Sequence, residues 1–219
     1  MWRCSVIAIL LSLLPWAEPA SAQKVYWLTV SIHKDVRHKL TQKDIEKIFK
    51  RESKLLKEDN ACDVEFKLNG PVQTFTSAPA YINDLASLEA VHHVAADVKV
   101  VQEIKFCRGQ YYEEGVIGCS WRPAGLRPKT VIVTTATVAT DLRHILWAHE
   151  FGHTTGLEHR IDDSQALMTP CDLQSFNRHI NEAECRCFVA GPDQCHMPDL
   201  NVACPAPSRR RGAADRPWD

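Results

Sequence analysis

The segment His149–His159, HEFGHTTGLEH, constrains this chain more than any other. On a helix, residues i and i+4 share a face, so His149 and His153 present their imidazoles to a common point. Glu150 lies one residue further round. From there its carboxylate reaches a water held at that point without occupying a ligand position. A straight helix would carry position 159 away. Gly156 removes the obstacle, because glycine accepts positive φ and lets the helix stop and the chain turn. His159 then swings back as a third nitrogen donor. Three imidazoles with a fourth position left to water form the pattern of a catalytic, not a structural, zinc site. The expected assignment is therefore His149, His153 and His159 as metal ligands for Zn2+, with Glu150 as general base. The other histidines (His33, His38, His92, His93, His144, His179 and His196) lack this spacing and read as ordinary residues. Among them the His92-His93 pair is the first to check.

The remaining pattern supplies a frame for that helix. Val25–Ile32 (VYWLTVSI) is rich in β-branched and aromatic residues and predicts a strand. Thr41 with Asp44 resembles a capping signature, and Ile45, Ile48, Phe49 and Leu56 recur at helical spacing, predicting a helix over 42–58. Val64, Phe66 and Leu68 alternate as in a second strand, closed by Asn69-Gly70-Pro71. Leu85, Leu88 and Val91 suggest a short helix in an otherwise indistinct stretch. Val98–Phe106 and Thr130–Thr135 read as strands, and residues 108–128 as loop. Thr140 or Asp141 is the expected cap of the histidine-bearing helix, which should run to about Thr155. Asn181 with Glu184 predicts a final helix near 181–188. This order gives an α+β fold, an α/β layer on a mixed, mostly parallel twisted sheet, with a small disulfide-stapled C-terminal part.

Both ends read as lying outside the fold. Arg3, the apolar run Ile7–Leu14 and Ala20-Ser21-Ala22 have the layout of a signal peptide, so residues 1–22 are expected to be removed. The run is too short to span a bilayer and Pro15 interrupts it; no membrane span is expected in the mature form. Residues 23–204 form the expected domain and 205–219 a disordered basic tail. Discounting Cys4, eight of the nine cysteines remain, and an even count in an exported chain argues for disulfides. Cys107 with Cys119 is a plausible local pair, and the last four cysteines could staple the C-terminal region. The rival is a structural zinc site at Cys185, Cys187, Cys195 and Cys204. A formal net charge of -1 offers no field for nucleic acid. Extracellular and periplasmic destinations are equally compatible.

The stretch His149–Pro170, HEFGHTTGLEHRIDDSQALMTP, resembles the metzincin clan of zinc peptidases, and is most similar to the matrixin, or matrix-metalloproteinase-like, branch. The resemblance implies a zinc-dependent endopeptidase acting on protein or peptide substrates, and it matches Met168 to the methionine of the turn beneath the metal. In that role Met168, like Gly156, is structural at the site. The sequence departs from the family pattern at Pro170 and Asp172, where some relatives carry tyrosines, so pocket shape does not carry over. No Pro-Arg-Cys-Gly switch segment and no calcium loop are evident. Only Gln23 and Lys24 precede the first strand, so the expectation is a protein competent on export and restrained by compartment, narrow specificity or a separate protein inhibitor. Two other readings stay open: a non-catalytic binding module stabilised by zinc, and a zinc hydrolase acting on a non-peptide amide.

Overall fold

The structure, a computed structural model, describes residues 23–120, 132–135, 137–170, 173–192 and 194–195. The expected signal peptide and tail, most of the loop after Ser120, Cys171, Asp172 and Cys204 lie outside the described residues.

The first predicted strand forms as two, β1 (Lys24–Leu28) and β2 (Val30–His33). The break falls at Thr29, whose amide and hydroxyl both donate to Asp97 Oδ2 at 2.8 and 2.6 Å. With that amide taken, the chain changes partners. β1 pairs in parallel with β3 (Val64–Leu68), and β2 with β4 (Gln73–Phe75) on one side and β6 (Val98–Val101) on the other. β9 (Ile132–Thr135) adds in parallel beyond β6, giving the order β4-β2-β6-β9. Parallel strands are covered on both faces, and every residue of β2 and β6 is buried.

The predicted strand over 98–106 also divides, at Gln102, into β6 and β7 (Glu103–Cys107). Gln102 is bonded instead to Ala80 O, just before β5 (Tyr81–Ile82), which pairs in parallel with β7. The expected loop from 108 is corrected: after Arg108-Gly109 the chain returns as β8 (Gln110–Val116), antiparallel to β7. Exposed, charge-rich alternation in β8 (burial is confined to partial cover) hid the strand from a reading based on apolar pattern.

Alternation in β6 separates two cores. Val98 and Val100 face Ile45, Ile48 and Phe49 of α1 (Gln42–Lys54) and Ile145, Leu146, Trp147 and Phe151 of α3 (Arg143–Thr154). Val101 belongs to the opposite core with Ile104, Phe75 and Leu88 and Val91 of α2 (Leu85–His92). Each fully buried large apolar side chain contributes about 1.5–3 kcal/mol over its exposed state.

α1 opens with the predicted Thr41–Asp44 capping box, and the helical run reaches Asp59 as expected, its last turn at Leu55–Asp59 being π-helical, with Asn60 Nδ2 donating to Leu55 O at 2.9 Å. α4 (Glu182–Ala190) has the predicted Asn181–Glu184 box. Disulfides join Cys107 to Cys119, Cys62 to Cys185 and Cys187 to Cys195. The rival structural zinc site is thereby overturned, because Cys185, Cys187 and Cys195 are all oxidised. Nor do the last cysteines pair only among themselves: Cys185 reaches back to the start of β3.

Candidate metal centre

α3 is buried almost all round, from Ile145 to Gly152, and runs beneath the sheet as the spine of the main core. Its start corrects the expectation. The N-cap is Leu142, without a side-chain bond, rather than Thr140 or Asp141; burial of the helix outweighs the missing cap. Its end follows the expected logic. Gly156 has φ +94°, Gly156 N donates to His153 O at 3.1 Å and Leu157 N donates to Gly152 O at 3.0 Å. This pair of bonds is a Schellman turn. It reverses the chain, and Arg160 N then donates to Met168 O at 2.7 Å, holding the returning segment against the Met168 loop.

The turn brings three imidazoles together. One ring nitrogen from each of His149, His153 and His159 lies within 4.8 Å of the others, the one such grouping of metal-ligating side chains found among the described residues. Their orientation is fixed from behind. His149 Nδ1 is 2.8 Å from Leu167 O, and His153 Nδ1 is 2.8 Å from Leu157 O. A carbonyl oxygen only accepts, so both Nδ1 atoms carry the hydrogen and both Nε2 atoms present lone pairs. Those two Nε2 atoms stand 3.1 Å apart. Two lone pairs facing each other repel, whereas two ligands of a tetrahedral zinc at about 2.0–2.1 Å stand about 3.3 Å apart. The donor set therefore fits a cation that takes neutral nitrogen. Burial, reinforced by the neighbouring imidazole, pushes all three histidines down to about 3, so they are neutral at physiological pH.

Glu150, next to His149 on α3, is 4 % exposed. Burial pushes its carboxyl up to about 8, and the adjacent Ser120 and the Arg108 guanidinium counteract only in part. Its Oε2 has no hydrogen-bond partner among the described residues. Gly118 makes room for the carboxylate: a Cβ there would stand 2.6 Å from Glu150 Cδ. Met168 is fully buried under the helix, and a Cβ at Gly152 would come within 2.6 Å of its Sδ. Gly156 is hemmed in likewise, with Cys195 carbonyl carbon 2.6 Å from where its Cβ would be.

The three motif histidines are thus brought together. Missed were Gly152 and Gly118 as spacers, and Ser120 and Arg108 near the acid. Gly152 stood inside the motif and signalled close packing; the others sit far away in sequence with no periodic signal. His92 and His93 do not join a metal-ligating group: His92 is buried under α2's own core, and His93 Nδ1 lies 2.7 Å from Glu89 O.

No protein-family model matches the chain, and no curated protein matches it. Among solved structures the chain is similar to metalloproteinase-II from Bacteroides fragilis, at 15% identity and a TM-score of 0.43, over 77% of this chain and 54% of that one. The chain thus spans about half the length of that protein, 54%.

Proposed function

We propose that this chain is a secreted zinc-dependent endopeptidase of the metzincin type, with His149, His153 and His159 as ligands and Glu150 as general base. The observation that carries the reading is the return of His159 across the Gly156 turn to join two imidazoles whose Nε2 lone pairs converge. A bound zinc supplies a Lewis acid that makes water acidic near pH 7 and polarises a carbonyl. Glu150 takes a proton from the attacking water and hands it to the departing amine. Its unpartnered Oε2 supports that role over a purely structural site, which has no use for the carboxylate. With a dication held by the imidazoles, the Glu150 carboxyl would be lowered again, and the base would be ionised. The backbone of Leu157 and Leu167 holds two ligand rings in the required tautomer, and Met168 supports the helix from below. The disulfides support an oxidising destination, extracellular or periplasmic. The substrate is a protein or peptide taken in extended form.

The test is Glu150→Ala assayed on a peptide library with metal content measured in parallel. Zinc should stay near one per chain while kcat/KM falls by about 10²–10⁴. Undiminished cleavage would remove Glu150 from the mechanism.

A further inference from the structure

The β7–β8 hairpin meets the centre at two points. At its tip, Arg108 Nη2 donates to Glu158 Oε2 at 3.0 Å, a contact between residues 50 apart in sequence. Glu158 is the residue immediately before His159. At the other leg, Ser120 lies against Glu150, and Gly118 leaves the space its carboxylate fills. The Cys107–Cys119 disulfide ties these two contacts together, since Arg108 follows one of its cysteines and Ser120 follows the other.

The tip is built in a costly way. Arg108 has φ +51° and Gly109 has φ +75°, a two-residue turn with both central residues in the left-handed region. Glycine or asparagine fills such a position readily, whereas a long side chain is disfavoured there. Only a quarter of the Arg108 and Glu158 side chains is exposed, 26% and 28%, so the pair is more than a rim contact screened by solvent.

Resting on the metal-site reading above, we propose that Arg108 is a positioning residue for the third ligand: its ion pair with Glu158 pins the segment carrying His159 to the hairpin that also packs against Glu150. It acts through Glu158, while its positive charge is also felt by Glu150, His153 and His159. The hairpin then behaves as a clamp that fixes the separation between the third imidazole and the general base.

The experiment uses the full mature chain, with zinc affinity from chelator competition and the visible spectrum of the cobalt-substituted protein as readouts. Arg108→Gly removes the guanidinium while relieving the turn, so the hairpin itself should form at least as well. The expected result is an unchanged or higher melting temperature of the metal-free protein, a roughly tenfold weaker zinc affinity and a shifted cobalt spectrum. Glu158→Ala should do the same to affinity and spectrum. The exchanged pair, Arg108→Glu with Glu158→Arg, should recover zinc affinity to within about threefold of the parent, as a role in turn formation alone would not. Zinc affinity and cobalt spectrum unaltered in Arg108→Gly, or no recovery in the exchanged pair, would overturn the proposal. Both readouts are independent of turnover. A parent that binds zinc but cleaves nothing would defeat the peptidase reading alone, and one that binds no metal would defeat both.

Discussion

Two sets of ionisable side chains are withdrawn from water in this molecule, and they are built differently. On α3, His149 and His153 are each oriented by a backbone carbonyl and converge on one point with His159, and the same helix carries the buried Glu150. Elsewhere, Glu52 on α1 and Lys99 on β6 are fully buried singly. Neither carboxylate oxygen of Glu52 nor Lys99 Nζ has a hydrogen-bond partner among the described residues. Burial shifts the titration of every one of these groups, so a shifted group alone does not mark a site. Orientation and convergence do, because they are what a ligand can use.

The comparison breaks first at the metal. His153→Ala should abolish stoichiometric zinc binding and lower the melting temperature of the zinc-loaded protein to that of the chelated parent, read by metal analysis and calorimetry. Full zinc occupancy in that variant would mean that convergence had been misjudged.

Gly156→Ala comes next. It places a side chain at φ +94° and drives a Cβ into the Cys195 carbonyl, so a loss of about 2–4 kcal/mol is expected in denaturant unfolding.

The solitary pair should respond in the opposite direction. Burial holds the Glu52 carboxyl well above its ordinary 4.5. An unfolded glutamate ionises above that point while the folded one stays protonated. The folded state therefore loses stability as pH rises beyond 4.5. Glu52→Leu should gain about 1–3 kcal/mol at pH 7–8 and distinctly less at pH 4, measured as the difference in unfolding free energy. A gain independent of pH would show that the carboxyl is ionised inside the fold.

Lys99→Met should give a smaller gain, about 1–2 kcal/mol. Burial lowers the Lys99 ammonium from 10.5 to about 8, with Asp97 opposing. Between those values the unfolded chain holds the proton that the folded chain has released, so the parent becomes more stable as pH rises through that window. The advantage of Met should thus be largest below pH 8 and fade towards pH 10.5, as thermal melts in a pH series would report.

Much of the centre was legible in the sequence because its chemistry is local. Four of its residues lie within eleven positions, and the glycine that bends the chain is among them. The capping boxes at Thr41 and Asn181 were legible for the same reason, each being a side chain bonding an amide three residues on. What stayed hidden depends on distant partners. Thr29 looks like any strand residue until Asp97, 68 positions away, takes its amide and divides the strand. The start of α3 was misplaced because a helix buried on all sides does not need the cap that Thr140 or Asp141 offered. β8 was missed because its residues are largely exposed, and Arg108 because nothing near it in sequence announces Glu158.

The bond from Cys62 to Cys185 has a consequence for how the chain survives cleavage. It spans 123 positions, and the whole of the histidine segment falls inside the covalent ring it closes. A single nick anywhere in that ring opens the ring without releasing a fragment. Such a molecule migrates as one species until a reductant is added, and the two pieces stay joined after the first wound.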